Sequence, residues 1–133
     1  MDTKEILEKY KNIAVVGFSD NTDKDSNRIA VYMKNNGYNI VGVNPKLDGK
    51  VVDGIKCYAY LSEITEKIDI VNIFRLPIAV PGIVEETLKL EKRPEVIWTQ
   101  LGIIHEEARN KAEENGFIFV ENKCLYIEHK LNK

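Results

Sequence analysis

The sequence predicts an α/β domain built on a parallel sheet, and three observations predict it. Short apolar runs rich in β-branched residues recur along the chain, beginning with Ile13-Ala14-Val15-Val16. Segments of helical period separate them, long enough at about 10–14 residues to cross a sheet and return. The runs are apolar throughout rather than alternating, as expected of strands covered on both faces.

Taken in order, Ile6, Leu7 and Tyr10 sit at helical spacing and predict a short helix over residues 2–10. The first strand runs from Ile13 to Val16 and stops at Gly17. A polar loop, Ser19 to Asp25, precedes a helix that carries Ile29, Ala30 and Met33 inward and closes at Gly37. Asn39 to Val43 is the second strand, stopped by Asn44-Pro45. The stretch containing Asp48-Gly49 and Asp53-Gly54 reads as irregular, leading through Cys57-Tyr58 to a brief helix near Leu61–Ile64.

Asp69 to Phe74 is the third strand, and Pro77 to Leu90 a helix with Val80, Ile83, Val84, Thr87 and Leu88 along one side. Glu95 to Trp98 is the fourth strand, His105 to Asn115 a helix, and Phe117 to Val120 the fifth strand. Cys124 to His129 is a short helix or an extended tail. Right-handed crossovers then give a Rossmann-like three-layer fold with a five-stranded parallel sheet, order 3-2-1-4-5, in a single domain over 1–133.

The composition narrows the function classes. Of 133 residues, 44% are hydrophobic and 30% charged, enough for one core without metal or disulfide staples. A net charge of −2 supplies no field for nucleic acid or an anionic membrane. No stretch approaches the ~18 apolar residues that a membrane span requires. The charged N-terminus lacks the apolar run of a signal peptide. Cys57 and Cys124 lie far apart, with no CxxC pair and no histidine cluster, which disfavours zinc and a secreted disulfide framework. The expected compartment is the cytoplasm.

In open parallel sheets the ligand binds beyond the carboxyl ends of the strands, where the strand order reverses. That rule selects Gly17-Phe18-Ser19, Asn44-Pro45-Lys46, Phe74-Arg75, Thr99-Gln100 and Glu121 to Cys124. Gly17 would let a phosphate approach the main chain. Ser26 is placed to cap the next helix, whose free amides favour an anion, and Arg28 adds a cation. Asp20, Asp23 and Asp25 oppose this unless they point outward. The G-x-G-x-x-G dinucleotide fingerprint is not met, since Gly17 is the only glycine in Gly17 to Thr22. Where that fingerprint wants an acid after the second strand, Asn44-Pro45-Lys46 stands instead. Lys46 suits a ribose that carries an extra phosphate, or is simply a surface lysine. Arg75 reads equally as a ligand contact or one half of a salt bridge.

The run Val15-Val16-Gly17-Phe18-Ser19, the pair Ser26-x-Arg28, Val43-Asn44-Pro45, Cys57-Tyr58, Asp69-Ile70-Val71 leading to Phe74-Arg75, and Trp98 to Ile103 occur in this order. Together they resemble the small stand-alone CoA-binding domain proteins, relatives of the nucleotide-binding domain that opens the α subunit of succinyl-CoA synthetase. The resemblance covers roughly Lys11 to His129. It implies coenzyme A as the ligand, free or as an acyl-CoA. Gly17, Phe18, Ser19 and Ser26 would lie on the pyrophosphate side with Arg28 nearby, and Val43, Asn44, Pro45 and Lys46 around the adenosine and its 3′-phosphate. Phe74 and Arg75 would flank the adenine or phosphates, and Gln100 would lie toward the pantetheine arm. The chain departs from the pattern at Asp25, where proline is usual, at Lys123, where arginine is common, and at His105, where asparagine is common.

Groups for catalysis are few. His105 reads as a helix-start residue, His129 lies in the tail, and no nucleophile elbow or HExxH is present. The expectation is therefore a ligand-binding protein without catalysis of its own, rather than part of an acyl-CoA-dependent enzyme. Cys124 is either a buried structural cysteine or a thiol able to pair with that of CoA; Cys57 reads as structural. An NAD- or nucleotide-binding redox sensor and an accessory interaction module remain as alternatives. A homodimer or a separate protein partner is compatible with the sequence, which selects neither.

Overall fold

The centre of the molecule is the strand β1 (Asn12–Val16), whose last four residues are buried on both faces. Alternation along it sends Ile13 and Val15 to one apolar cluster and Ala14 and Val16 to the other. The computed structural model describes residues Met1 to Lys133. In chain order the remaining elements are α1 (Thr3–Lys9), α2 (Asp25–Asn35), β2 (Asn39–Val43), β3 (Val51–Val52), β4 (Ile55–Tyr58), β5 (Ile70–Ile73), α3 (Val80–Leu88), β6 (Val96–Thr99), α4 (Glu106–Glu114), β7 (Ile118–Val120) and α5 (Leu125–Leu131). Single 3₁₀ turns occupy Pro45–Leu47, Leu61–Glu63 and Pro77–Ala79.

The sheet runs β3-β4-β2-β1-β5-β6-β7, parallel except where β3 folds back on β4. The α/β class and the parallel sheet are as expected; the strand count is seven, not five, and the Asp69–Phe74 strand, expected beside the second strand, lies on the other side of β1. Ile55–Tyr58, read from sequence as irregular, is a parallel strand against β2. Counted in its place it is the third parallel strand, so Ile70–Ile73 becomes the fourth and lies beside β1. The parallel order is then 3-2-1-4-5-6, the doubly wound arrangement.

One face of the sheet is covered by α1, α2 and α5, which pack on Ile13, Val15, Ile70 and the fully buried Trp98. The other is covered by α3 and α4 over Ala14, Val71, Ile73 and Ile97. Asp2 opens α1 with a capping box, its carboxylate accepting from the Glu5 amide at 2.8 Å. His105 caps α4, its Nδ1 accepting from the Ala108 amide at 3.1 Å. That is the helix-start role read from sequence. No helix is long and apolar enough to cross a membrane.

The register aligns Tyr58, Val43, Val16, Ile73 and Thr99 across neighbouring strands, so these strands end at one level. The ladder continues one residue past each end. Asn44 N donates to Tyr58 O, Gly17 N to Val43 O, Phe74 N to Val16 O, and Gln100 N to Ile73 O. The loops selected in the sequence therefore start from a common edge, held by main-chain bonds.

Candidate functional site

Gly17 turns the chain out of β1 with φ +90°, a conformation that side-chain-bearing residues rarely adopt. A Cβ there would collide with the Phe74 carbonyl oxygen and lie 3.1 Å from Arg75 Cδ. The missing side chain thus admits the loop after β5 rather than opening room for a phosphate. Phe18 is fully buried, its ring filling the space left by Gly42, where a Cβ would lie 2.5 Å from Phe18 Cδ2. Neither its ring nor its main chain is exposed, so Phe18, expected among the ligand contacts, supports the loop from below. Asn44 ties the two loops together: its Nδ2 donates to Phe18 O at 2.9 Å and its Oδ1 accepts from Lys46 N at 2.9 Å. Val43 is buried at the end of β2, whereas Pro45 and Lys46 are exposed.

The loop from Ser19 to Lys24 folds on itself. Ser19 Oγ accepts from Asn21 N at 3.0 Å, and Asn21 Oδ1 from Asp23 N at 2.9 Å. Asn27, which the sequence reading passed over, is nearly fully buried and anchors this loop. Its Nδ2 reaches Ser19 O at 2.9 Å and Asp53 Oδ2 at 3.2 Å, joining the loop to the β3–β4 turn.

Ser26 is not the helix cap that the sequence suggested. Lys24 holds that position, without a side-chain bond, and Ser26 lies one turn-residue further in, buried. The physical consequence is that the amides of Asp25 and Ser26 have no protein acceptor. They form the positive end of an eleven-residue helix. Asp25 does not leave its charge there uncompensated. It pairs with Arg28, whose Nη1 also donates to Asp23 O at 3.1 Å. Arg75, by contrast, is exposed and has no carboxylate within salt-bridge distance. Of the two readings of Arg75, the salt bridge is absent.

A cleft of about 920 Å³ opens along this edge. Of the residues selected from sequence, it brings together Arg28, Phe74, Arg75, Gln100 and Cys124. Gly17, Phe18, Ser19, Ser26, Val43, Asn44, Pro45 and Lys46 are not in its walls. They adjoin it through the Gly17–Arg75 contact and the loop bonds of Asn44 and Asn27. Gln100 is 6% exposed, and its Oε1 accepts from the Leu125 amide at 3.4 Å. That bond fixes the amide so that Nε2, without a protein acceptor, is the free donor. Cys124 stands at the start of α5, buried and in the wall. The main chain of its neighbour Lys123 is engaged, the carbonyl accepting from Trp98 Nε1 at 2.8 Å and the amide donating to Thr99 O at 3.2 Å.

Asp25, with its carboxylate paired to Arg28, also lines the cleft, as do Leu76, Pro77 and Gly102. The remaining wall was not identified from sequence: Ile29 and Tyr32 from α2, Leu101 and Ile103 after β6, Tyr126 and Ile127 from α5. In sequence these read only as helix or loop apolars. The other titratable candidates lie elsewhere. Cys57 is buried within β4, beside Gly42 of β2, donates to Ile55 O at 3.5 Å, and has its thiol pKa pushed up by burial. His129 Nδ1 lies 2.7 Å from Tyr32 Oη behind the cleft.

Comparison with known proteins agrees with this geometry. The chain is 39% identical over 132 residues to YneT of Bacillus subtilis (strain 168), covering 99% of this chain and 95% of that protein. A Thermus thermophilus structure, cell-free ID.343, superposes with a TM-score of 0.92 at 32% identity over the whole of both chains. A hypothetical protein from Pyrococcus horikoshii OT3 gives 0.88 at 37% identity, covering 96% of this chain and 87% of that one. The sequence profile of the CoA binding domain matches residues 11–130. The chain therefore belongs to the CoA binding domain family.

Proposed function

We propose that this protein binds coenzyme A, free or as an acyl-CoA, along the carboxyl edge of its sheet, as a single domain without catalysis of its own. The observation that carries the reading is the cleft that brings together Asp25 at the uncapped start of α2, the unpaired Arg75, and the free Gln100 donor. Amides and arginine suit the pyrophosphate, and the apolar walls suit the pantetheine arm. Lys46, exposed after β2 with its ammonium unpaired, is the candidate partner of the 3′-phosphate.

A nicotinamide dinucleotide fits less well. After β2 it requires an acceptor for a ribose diol, but Asn44 Oδ1 is already bonded to Lys46 N and Nδ2 to Phe18 O. The non-catalytic reading is supported by the two histidines, one capping α4 and the other bonded to Tyr32. The two cysteines are free, which suits a reducing cytoplasm. The test is thermal unfolding of the protein with CoA or NAD at equal concentration. CoA should raise the midpoint through mass action and NAD should not. A shift with NAD alone would overturn the reading.

A further inference from the structure

Beyond Gln100 and Cys124 the cleft changes character. Ile29 and Tyr32 from α2 face Tyr126 and Ile127 from α5, with Leu101 and Ile103 along the β6 side. Tyr32 Oη is engaged by His129, so Tyr32 contributes its ring, while Tyr126 brings a second hydroxyl to the wall. The Tyr32 ring is itself fixed edge-on against Tyr126, centroids 4.6 Å apart. No charged side chain stands among these six. Leu101 remains 54% exposed and Ile127 43%, so the groove leaves apolar surface in water that hydrocarbon could cover. At its entrance is a nine-tenths-buried polar group without a partner for its donor, the Gln100 amide.

Resting on the CoA reading above, we infer that this groove holds the apolar acyl chain of a CoA thioester, with Gln100 Nε2 donating to the thioester carbonyl. The groove belongs to the same cleft as the proposed pantetheine passage, whose wall also holds Arg75 and the Asp25–Arg28 ion pair. Against these six side chains a hydrocarbon chain meets carbon except at the tyrosine hydroxyls. A carboxylated acyl group, as in succinyl-CoA, would lose hydration against these mainly apolar side chains, at a desolvation cost. The preferred ligand class is thus a medium-chain, uncharged acyl-CoA.

The experiment is calorimetric titration of the full chain with CoA, acetyl-CoA, octanoyl-CoA and succinyl-CoA, the octanoyl ester below its micelle concentration. Each fully buried methylene adds about fourfold in affinity. Even partial burial of the chain should make octanoyl-CoA at least tenfold tighter than CoA, with succinyl-CoA no tighter than acetyl-CoA. In Ile127→Asp the ratio of CoA to octanoyl-CoA dissociation constants should fall close to one. Leu101→Ser, at a more exposed position, should lower the same ratio and guards against a folding defect in the first variant. CoA and octanoyl-CoA binding with equal affinity, or a ratio unmoved in both variants, overturns the acyl assignment alone. Failure of every CoA species to bind removes the CoA reading and this inference with it.

Discussion

Gly17 lies beneath Arg75: the arginine Cδ stands 3.1 Å from the place a Gly17 Cβ would take, and the Phe74 carbonyl occupies that place more closely still. The turn out of the central strand and the arginine of the fourth parallel strand are one construction. Adding a single methyl group at Gly17 would force both a strained backbone and a displaced β5 loop.

Gly17→Ala should therefore destabilise the fold by on the order of 2–4 kcal/mol, the sum of left-handed strain and overpacking. Gly82→Ala is the control, since a Cβ there meets nothing and φ is ordinary. Chemical denaturation measures both. A Gly17→Ala midpoint within error of the parent would show that the turn relaxes freely.

Arg75 and Lys46 separate binding from stability. Neither is paired within the fold, so alanine at either should change stability by less than about 0.5 kcal/mol. Each should weaken CoA binding by about 1–3 kcal/mol, the scale of a charge-assisted hydrogen bond. Dephospho-CoA should lose less than CoA on Lys46→Ala, because it lacks the 3′-phosphate. Equal losses for both ligands would remove Lys46 from that contact.

Cys124 lines the cleft while Cys57 is buried within β4, and this difference makes a chemical prediction. Incubated with CoA disulfide, the Cys124 thiolate should attack one sulfur, form a mixed disulfide and release CoA thiolate. The protein should gain the mass of one CoA, and a reductant should remove it. Cys124→Ser should abolish the adduct and Cys57→Ser should retain it. Mass spectrometry that places the adduct on Cys57 would return Cys124 to a structural role.

His129 predicts a pH dependence. Burial, followed by the ammonium groups of Lys133 and Lys11, holds its pKa below the ordinary value, so the fold favours neutral imidazole. The other groups on this histidine are Tyr32 Oη at 2.7 Å and the Tyr38 ring, with a centroid 5.7 Å away. The unfolded chain binds the proton more readily. The stabilisation is therefore complete above the unfolded pKa of about 6.5 and is lost as pH falls through the folded value. Thermal midpoints should drop on acidification below that point, and His129→Gln should flatten the dependence. An unchanged slope in the variant would assign the drop to other groups.

How much of this was legible in sequence varies by element. β1, β2 and β5 announced themselves because a strand buried on both faces must be apolar at consecutive positions, as Ile13 to Val16 and Ile70 to Val71 are. Ile55–Tyr58 did not. The strand is four residues long, and Lys56 points to solvent in its middle. Its strand character comes from bonds to β2, which no local pattern encodes. Gln100, Arg75 and Cys124 were identifiable from sequence because strand ends locate the loops around a parallel sheet.

What each residue does there was left to the tertiary structure. The same loop rule named Phe18 and Arg75, yet packing against Gly42 buries the first completely and the absence of an acidic neighbour leaves the second free. Tyr32, Tyr126 and Ile127 show the limit most plainly. The sequence placed Tyr32 on a helix, because helical period is local, but left Tyr126 and Ile127 between a short helix and an extended tail. That they form one wall was decided by the docking of α5 on α2, a contact between segments some ninety residues apart, through the hydrogen bond of Tyr32 to His129 across a sequence separation of 97. Local periodicity sets which residues are apolar, but only the docking of distant helices decides which of them enclose a common space.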